Sequence, residues 1–187
     1  ATTVGPLFDA GRGVTIQPNG KILVVGTVVN GSNNDLALVR YNADGSLDTT
    51  FSGDGIVTTA IGWSHDHGYS VKIQTVGKIL VAGDTYNGKN FDLALVRYSA
   101  DGSLDTTFSG DGIITTAIGS NDDYGKSVTI QSDGKIIVAV TTLNGGDFAL
   151  VRYNADGTIP VIGMTTAGAP QNGTLNPYTR QEAETIA

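Results

Sequence analysis

Residues 35–62 read DLALVRYNADGSLDTTFSGDGIVTTAIG, and residues 92–119 read DLALVRYSADGSLDTTFSGDGIITTAIG. A shortened copy, DFALVRYNADGT, occupies residues 147–158. Upstream of each copy lies a VTIQ-like segment that begins at Val14, Val71 or Val128, which sets a period of 57 residues. A fixed period of this length indicates a repeat architecture.

Each unit contains four short runs that favour β-strands, typified by VTIQ, KILVVGTV, LALVRY and GIVTTAI. They are rich in β-branched residues and are separated by Asn-Gly, Asp-Gly and Gly-Gly turn signals. Four antiparallel strands in a repeat of about 40–60 residues are typical of a propeller blade. The sequence therefore predicts an all-β propeller domain over residues 1–158, with three 57-residue, four-stranded blades and a separate segment over residues 159–187.

The run from Leu36 to Tyr41 predicts a strand that is covered on both faces. Period-two alternation places Leu36, Leu38 and Arg40 on one face, and the opposite face is also largely apolar. An unpaired guanidinium between sheets is costly, so a repeated structural ion pair is expected. The arginines are Arg40, Arg97 and Arg152, and the predicted partners are Asp35, Asp92 and Asp147, with Asp54 and its equivalents as the alternative.

Composition excludes several classes of function. The chain carries 11 Lys and Arg against 18 Asp and Glu, a net charge of −7, which disfavours nucleic acid as a partner. No apolar run approaches the ~18 residues of a membrane span, so no membrane partner is expected. There is no cysteine, which excludes disulfides, thiolate zinc sites and thiol nucleophiles.

The three copies differ most just before the VTIQ-like run, where they read PLFDAGRG (6–13), WSHDHGYS (63–70) and SNDDYGKS (120–127). Variable loops on a constant scaffold are where recognition normally occurs. We therefore predict ligand binding here, with aromatic rings stacking on sugars and carboxylates accepting hydroxyls. The candidates are Trp63, Tyr69 and Tyr124 as rings, and Asp66, Asp122 and Asp123 as acceptors. The alternative is unselected drift of exposed loops with ordinary aromatic packing.

Two further patterns resemble metal sites but lack a full ligand set. His65 and His67 can face one way on a strand, yet no third ligand is apparent, and the repeated Asp9, Asp66 and Asp123 indicate turn caps. The Asp-Gly words around Asp44, Asp101 and Asp156 resemble calcium loops without the bidentate Glu. We therefore predict no metal site and no cofactor, with calcium at these turns as the alternative.

The runs IQSDGKIIVA, FALVRYNADG and SLDTTFSGDGIITT resemble the bacterial delta-60 repeat over residues 2–158. That unit of about 55 residues occurs in tandem in large secreted or surface proteins and is assigned to the propeller class. The resemblance implies a propeller fold and a secreted, bacterial location.

The segment from Ile159, IPVIGMTTAGAPQNGTLNPYTRQEAETIA, has a different resemblance. It is similar to the linker that joins a family 43 glycoside hydrolase to a family 6 carbohydrate-binding module, with EAETIA as the opening of that module. The hydrolase family uses a Glu as its general acid, and the only Glu residues of the chain are Glu182 and Glu184. We therefore assign no catalytic residue. Thr179 and Glu182 also form a capping box, so residues 179–186 are either a short helix or the first strand of a truncated module.

Three blades do not close a ring, because known propellers take roughly four to eight. We expect two copies to associate into a six-bladed homodimer, with Ala1–Val4 completing the partner's third blade. The expected function is a non-catalytic extracellular module for carbohydrate or protein binding or scaffolding, with a polysaccharide as a candidate partner. The alternative is a glycoside hydrolase acting on xylan- or arabinan-type substrates.

Overall fold

The computed structural model describes residues 2–143 and 147–159, and their regular structure consists of strands. The described residues form β1 (Asp9–Ile16), β2 (Ile22–Asn30), β3 (Asn33–Tyr41), β4 (Ile56–Thr59), β5 (Asp66–Ile73), β6 (Ile79–Tyr86), β7 (Phe91–Tyr98), β8 (Ile113–Thr116), β9 (Asp123–Ile130), β10 (Ile136–Thr142) and β11 (Phe148–Tyr153). None of these residues belongs to a helix with the length and apolar character needed to cross a membrane.

The strands form three antiparallel sheets in simple up-and-down order, β1-β2-β3-β4, β5-β6-β7-β8 and β9-β10-β11, which we call blades 1, 2 and 3. The inner strand of each blade contacts the inner strand of the next, β1 with β5 and β5 with β9. This confirms the all-β class and the packing of repeat units as successive propeller blades. Within the described residues blade 3 has three strands, and the predicted tail beyond Ile159 lies outside them.

The hydrophobic core lies between the blades rather than within them. We call the face of a blade that packs on the following blade its trailing face, and the opposite face its leading face. At the first junction, Leu23, Leu36 and Leu38 of blade 1 pack against Val71 and Val81 of blade 2. The second junction repeats this packing with the equivalent residues of blades 2 and 3. β7 lies between the two junctions and is buried on both faces, and β3 is also buried on both faces, as the alternation predicts.

Glycines on the inner strands allow the blades to approach closely. A Cβ atom built at Gly68 would lie 2.6 Å from Val25 of blade 1, and one at Gly125 would lie 2.6 Å from the carbonyl oxygen of Gly83 in blade 2. Both distances are too short for a real side chain. At this position blades 2 and 3 therefore pack their inner-strand backbone directly on the preceding blade.

The structure corrects the interpretation of the variable segment as a loop. Residues 66–70 begin strand β5, and residues 123–127 begin β9, so much of the variation lies on the inner strands. Asp66 and Asp123 cap the turn that precedes each strand, as predicted, and the glycine two residues later permits contact between blades. Trp63 does lie in the loop before β5.

Candidate ligand site at the inner strands

Two of the three repeated arginines form ion pairs, but with partners other than those predicted. Arg40 Nε donates to Asp48 Oδ2 at 2.6 Å, and Arg40 Nη1 donates to the carbonyl of Ala100 in the next blade at 2.6 Å. Asp35 instead accepts a hydrogen bond from Asn30. A strand rises about 3.3 Å per residue, so Asp35 lies at the far end of β3 from Arg40. The turn that follows β3 brings Asp48 back to Arg40, where its amide bonds the Arg40 carbonyl.

Blade 2 repeats this arrangement. Arg97 Nε donates to Asp105 Oδ2 at 2.7 Å and Arg97 Nη1 to the carbonyl of Ala155 in blade 3 at 2.6 Å. Asp92, the predicted partner, accepts from Asn87. Burial alone would raise the pKa of Asp105, but hydrogen bonds from Thr107 and Lys78 and the charge of Arg97 outweigh it and hold that pKa well below its usual range.

The third copy of the pair is incomplete. Arg152 Nε is buried and has no hydrogen-bond partner among the described residues, and the predicted partner Asp147 is exposed. Eight residues after Arg152 the sequence has Pro160, where the first two repeats have aspartate. Lys135, whose equivalents bind that aspartate in blades 1 and 2, pairs with Asp133 instead.

Two of the predicted sugar acceptors are closed to a ligand. Asp66 is fully buried and accepts the amide of Ile61 at 2.7 Å and the hydroxyl of Thr85 at 2.6 Å. Asp123 is equally buried and accepts the amide of Ile118 at 2.8 Å. These are the contacts of turn caps, which leave the carboxylates no accessible oxygen for a sugar hydroxyl.

The Asp-Gly turns likewise use their carboxylates internally. Asp44 Oδ1 accepts from the amide of Ser46 at 2.9 Å and from its hydroxyl at 2.6 Å. Asp101 and Asp156 make the equivalent bonds. In the part of the chain that the structure describes, no group of three or more His, Cys, Asp or Glu side chains is placed to hold a metal ion.

A cluster of unlike residues occupies equivalent positions near the inner strands. Arg12, Tyr69 and Lys126 stand one repeat apart, as do Ala10, His67 and Tyr124, and as do Thr27, Asp84 and Thr141. We call the six charged or aromatic side chains at these positions the inner-strand cluster: Arg12, His67, Tyr69, Asp84, Tyr124 and Lys126. The repeats thus have the same strands but carry different side chains at these three sets of equivalent positions.

The partly buried His67 pairs with the buried Asp84 in this cluster. His67 Nδ1 lies 2.7 Å from Asp84 Oδ1, and Asn34 Nδ2 donates to His67 Nε2 at 3.2 Å. Because Nε2 accepts, the ring proton lies on Nδ1 and is donated to the carboxylate. Asp84 is fully buried, and its Oδ2 has no hydrogen-bond partner among the described residues. His65 is held nearby, since its Nδ1 accepts the Asn34 amide.

Two cations lie over the aromatic rings of the cluster. Arg12 Cζ is 5.0 Å from the centroid of the Tyr69 ring, and Lys126 Nζ is 4.0 Å from the same centroid and 4.3 Å from that of Tyr124. Partial burial lowers the pKa of Lys126, and the charge of Asp84 opposes this shift. Burial and the charge of Asp84 raise the pKa of Tyr69, so its hydroxyl stays protonated.

Tyr124 extends the aromatic surface outward. Its hydroxyl donates to Asp122 Oδ2 at 2.8 Å, and burial together with this bond raises its pKa to about 12. The Phe91 ring centroid lies 5.8 Å from that of Tyr124 and 5.6 Å from that of His67. Asp122 Oδ1 also accepts the Phe91 amide at 2.9 Å and so joins blades 2 and 3.

The structure brings together only part of the predicted site. Tyr69, Tyr124 and Asp122 lie in or beside the inner-strand cluster, whereas Trp63 is exposed and makes no ring contact with another described residue. Sequence reasoning missed Arg12, Asp84 and Lys126. Repeat comparison held a signal for Asp84, because a buried carboxylate replaces threonine at that position in the other two copies.

The chain matches a family described as a beta-propeller domain of unknown function (DUF5122), at residues 17–51, 77–108 and 131–159. The chain belongs to this beta-propeller family. Each matched segment runs from the turn after an inner strand through the repeated arginine. Five members of the inner-strand cluster fall outside the segments that match the beta-propeller family, and Asp84 lies within the second segment. No curated protein matches the chain.

Proposed function

We propose that this chain is a non-catalytic, secreted bacterial propeller module that binds polysaccharide carrying carboxylate groups, such as uronic acid units, at the inner-strand cluster. One observation carries the proposal. Arg12 and Lys126 lie over tyrosine rings, and neither has a described carboxylate within ion-pair distance, in a chain whose net charge is −7. Cations without a direct ion pair favour an anionic ligand, although Arg12 Nε donates to Thr27 Oγ1 and the charge of Asp84 acts on Lys126.

The chemistry of the cluster suits an acidic sugar. Guanidinium and ammonium groups form charge-assisted hydrogen bonds to carboxylates, which are stronger than neutral ones. The protonated hydroxyl of Tyr69 is a donor, and the rings of Tyr69 and Tyr124 offer apolar surface to a pyranose. The variation among repeats at this place includes a fully buried Asp84, which drift of exposed loops does not explain.

The experiment is a calorimetric titration with oligogalacturonate, xylo-oligosaccharides and arabino-oligosaccharides. We expect the acidic oligomer to bind most tightly. Lys126→Ala should weaken its binding about tenfold to a hundredfold, as loss of a charged hydrogen bond of about 1.5–3 kcal/mol implies. Lys72→Ala removes the same charge from an exposed position near the end of β5, outside the cluster, and should leave the affinity unchanged.

Equal affinity for acidic and neutral oligomers, or an unaltered affinity of the Lys126→Ala variant, would contradict this assignment. The alternative of a glycoside hydrolase for xylan- or arabinan-type substrates draws its support from residues 159–187, which lie outside the described residues except for Ile159. Product analysis of the same mixtures tests it directly, because released pentoses would establish hydrolysis.

We also propose that the module acts as a homodimer. Three blades are fewer than the roughly four to eight of closed propellers, and two chains would supply six. A closed ring would surround the inner strands of both copies and would present two equivalent ligand sites.

A further inference from the structure

Blade 3 exposes a face that blades 1 and 2 bury. On its trailing face Phe148 is 86% exposed and Leu150 is 38% exposed. The side chains at the equivalent positions in the other blades are fully buried: Leu36, Leu38, Leu93 and Leu95. Apolar side chains at these equivalent positions are therefore covered by a following blade in blades 1 and 2 and exposed in blade 3.

Blade 1 exposes the complementary face. On its leading face Val14 is 67% exposed and Ile16 is 69% exposed. Their equivalents in blades 2 and 3 pack against a preceding blade, with Val71 at 3% and Val128 at 1% exposure. The chain thus has an open leading face at one end and an open trailing face at the other, and its own junctions show how such faces fit.

We propose that the leading face of blade 1 binds the trailing face of blade 3 in a second copy, so that two chains close head to tail through two equivalent junctions. The occupant is a second copy because each open face has, on the same chain, the partner surface that its equivalents bind. This pairing rests on the proposed homodimer and does not depend on the proposed ligand.

Polar contacts at the internal junctions define the register of the new one. Arg40 and Arg97 each donate to the carbonyl of an alanine in the turn of the next blade, at Ala100 and Ala155. The third arginine is Arg152, and the remaining alanine of this series is Ala43. In the dimer Arg152 of one copy therefore donates to the Ala43 carbonyl of the other.

The glycines of the inner strands agree with this register. Gly68 and Gly125 lie against Leu36 and Leu93 of the preceding blade, so that an added Cβ would collide with them. At the equivalent Gly11, a Cβ would meet only Val24 of its own blade, at 3.3 Å. The space in front of Gly11 is where Phe148 of the second copy would lie.

The first test is the solution mass by light scattering, without any ligand. We expect twice the 19.3 kDa of one chain. Val14→Asp on the leading face and Leu150→Asp on the trailing face should each give a monomer with unchanged circular dichroism. Val76→Asp is the matched control, because Val76 is exposed in a turn where the third repeat already has Asp133. It should remain dimeric.

A mixing experiment separates head-to-tail pairing from pairing of like faces. When Val14→Lys and Leu150→Asp chains are mixed, one junction keeps two native faces and the other brings opposite charges together, so the dimer mass should return. A wild-type monomer, an assembly larger than two chains, or a Leu150→Asp variant that remains dimeric would overturn the proposal. A monomer that still binds oligogalacturonate would refute the pairing and leave the ligand site standing.

Discussion

Asp105 and Arg97 are both buried in the ion pair that anchors blade 2 to blade 3. Removing one partner from a buried pair leaves an uncompensated charge, which costs about 3–5 kcal/mol. We expect Asp105→Ala to lower the free energy of unfolding by this amount in urea denaturation. Asp133→Ala, which breaks the exposed pair with Lys135, should cost no more than about 1 kcal/mol. Equal effects of the two substitutions would contradict a structural role for the buried pair.

The same carboxylates should make the fold sensitive to acid. Asp48 and Asp105 have pKa values held well below the usual value of about 3.9, so the folded chain binds these protons less readily than the unfolded chain does. Their contribution to stability is complete above that usual value and is lost as the pH falls below it. Asp105→Asn should flatten the fall in unfolding free energy between about pH 5 and pH 2. An unchanged slope in urea titrations across that range would count against this assignment.

At the scale of single residues, the sequence identified the arginines but not their carboxylates. The partner of Arg40 is set by the turn that follows β3, and the geometry of that turn is not expressed in strand alternation. Asp84 is similar, since its burial depends on a neighbouring blade and not on its own strand. A sequence pattern within one repeat does not predict which residues of different blades will be in contact.

The inner strands depend on glycine where blades meet. Gly125→Ala would place a Cβ against Gly83 and Leu93, and overpacking of this kind costs about 1–3 kcal/mol. Gly11→Ala meets only the Val24 side chain of its own blade, at 3.3 Å, so in a single chain it should cost less stability than Gly125→Ala. Both substitutions are best compared by thermal unfolding in the monomeric Leu150→Asp background. A loss of stability for Gly11→Ala as large as that for Gly125→Ala would be inconsistent with the described packing.

Strands β2, β3 and β4 were predictable because apolar alternation and Asp-Gly turns mark their limits. The first residues of β5 and β9 were not, since His-Asp-His-Gly and Asp-Asp-Tyr-Gly have the composition of a turn. In the folded chain those polar residues are satisfied by a loop cap and by neighbouring blades. The composition of these residues therefore predicts a turn, whereas packing against the neighbouring blades places them in strands.

For the whole molecule, head-to-tail pairing links stability to protein concentration. Association of folded chains stabilises them by mass action, so the Tm should rise with concentration. We expect a higher Tm at about 200 µM than at about 5 µM for the native chain, and one constant value for the Leu150→Asp variant. Scanning calorimetry at both concentrations provides the measurement, and a constant Tm for the native chain would argue against a dimer.

The all-β class and the three repeated units follow from the 57-residue period. The number of blades in a ring does not, because the angle between neighbouring blades depends on side-chain volumes at their junctions. Near-identical repeats specify that each junction resembles the last. They do not specify how many junctions make a full turn.

The arginine that crosses each junction binds a main-chain carbonyl of the next blade, not one of its side chains. Such a contact accepts any blade that keeps the same turn, whatever its surface residues are. Units could thus be duplicated, lost or exchanged by recombination without matching changes in their neighbours, while the inner strand of each copy diverged on its own. The near-identity of residues 35–62 and 92–119, the part of each repeat that contains this arginine, is what a gene that has gained copies in this way would show.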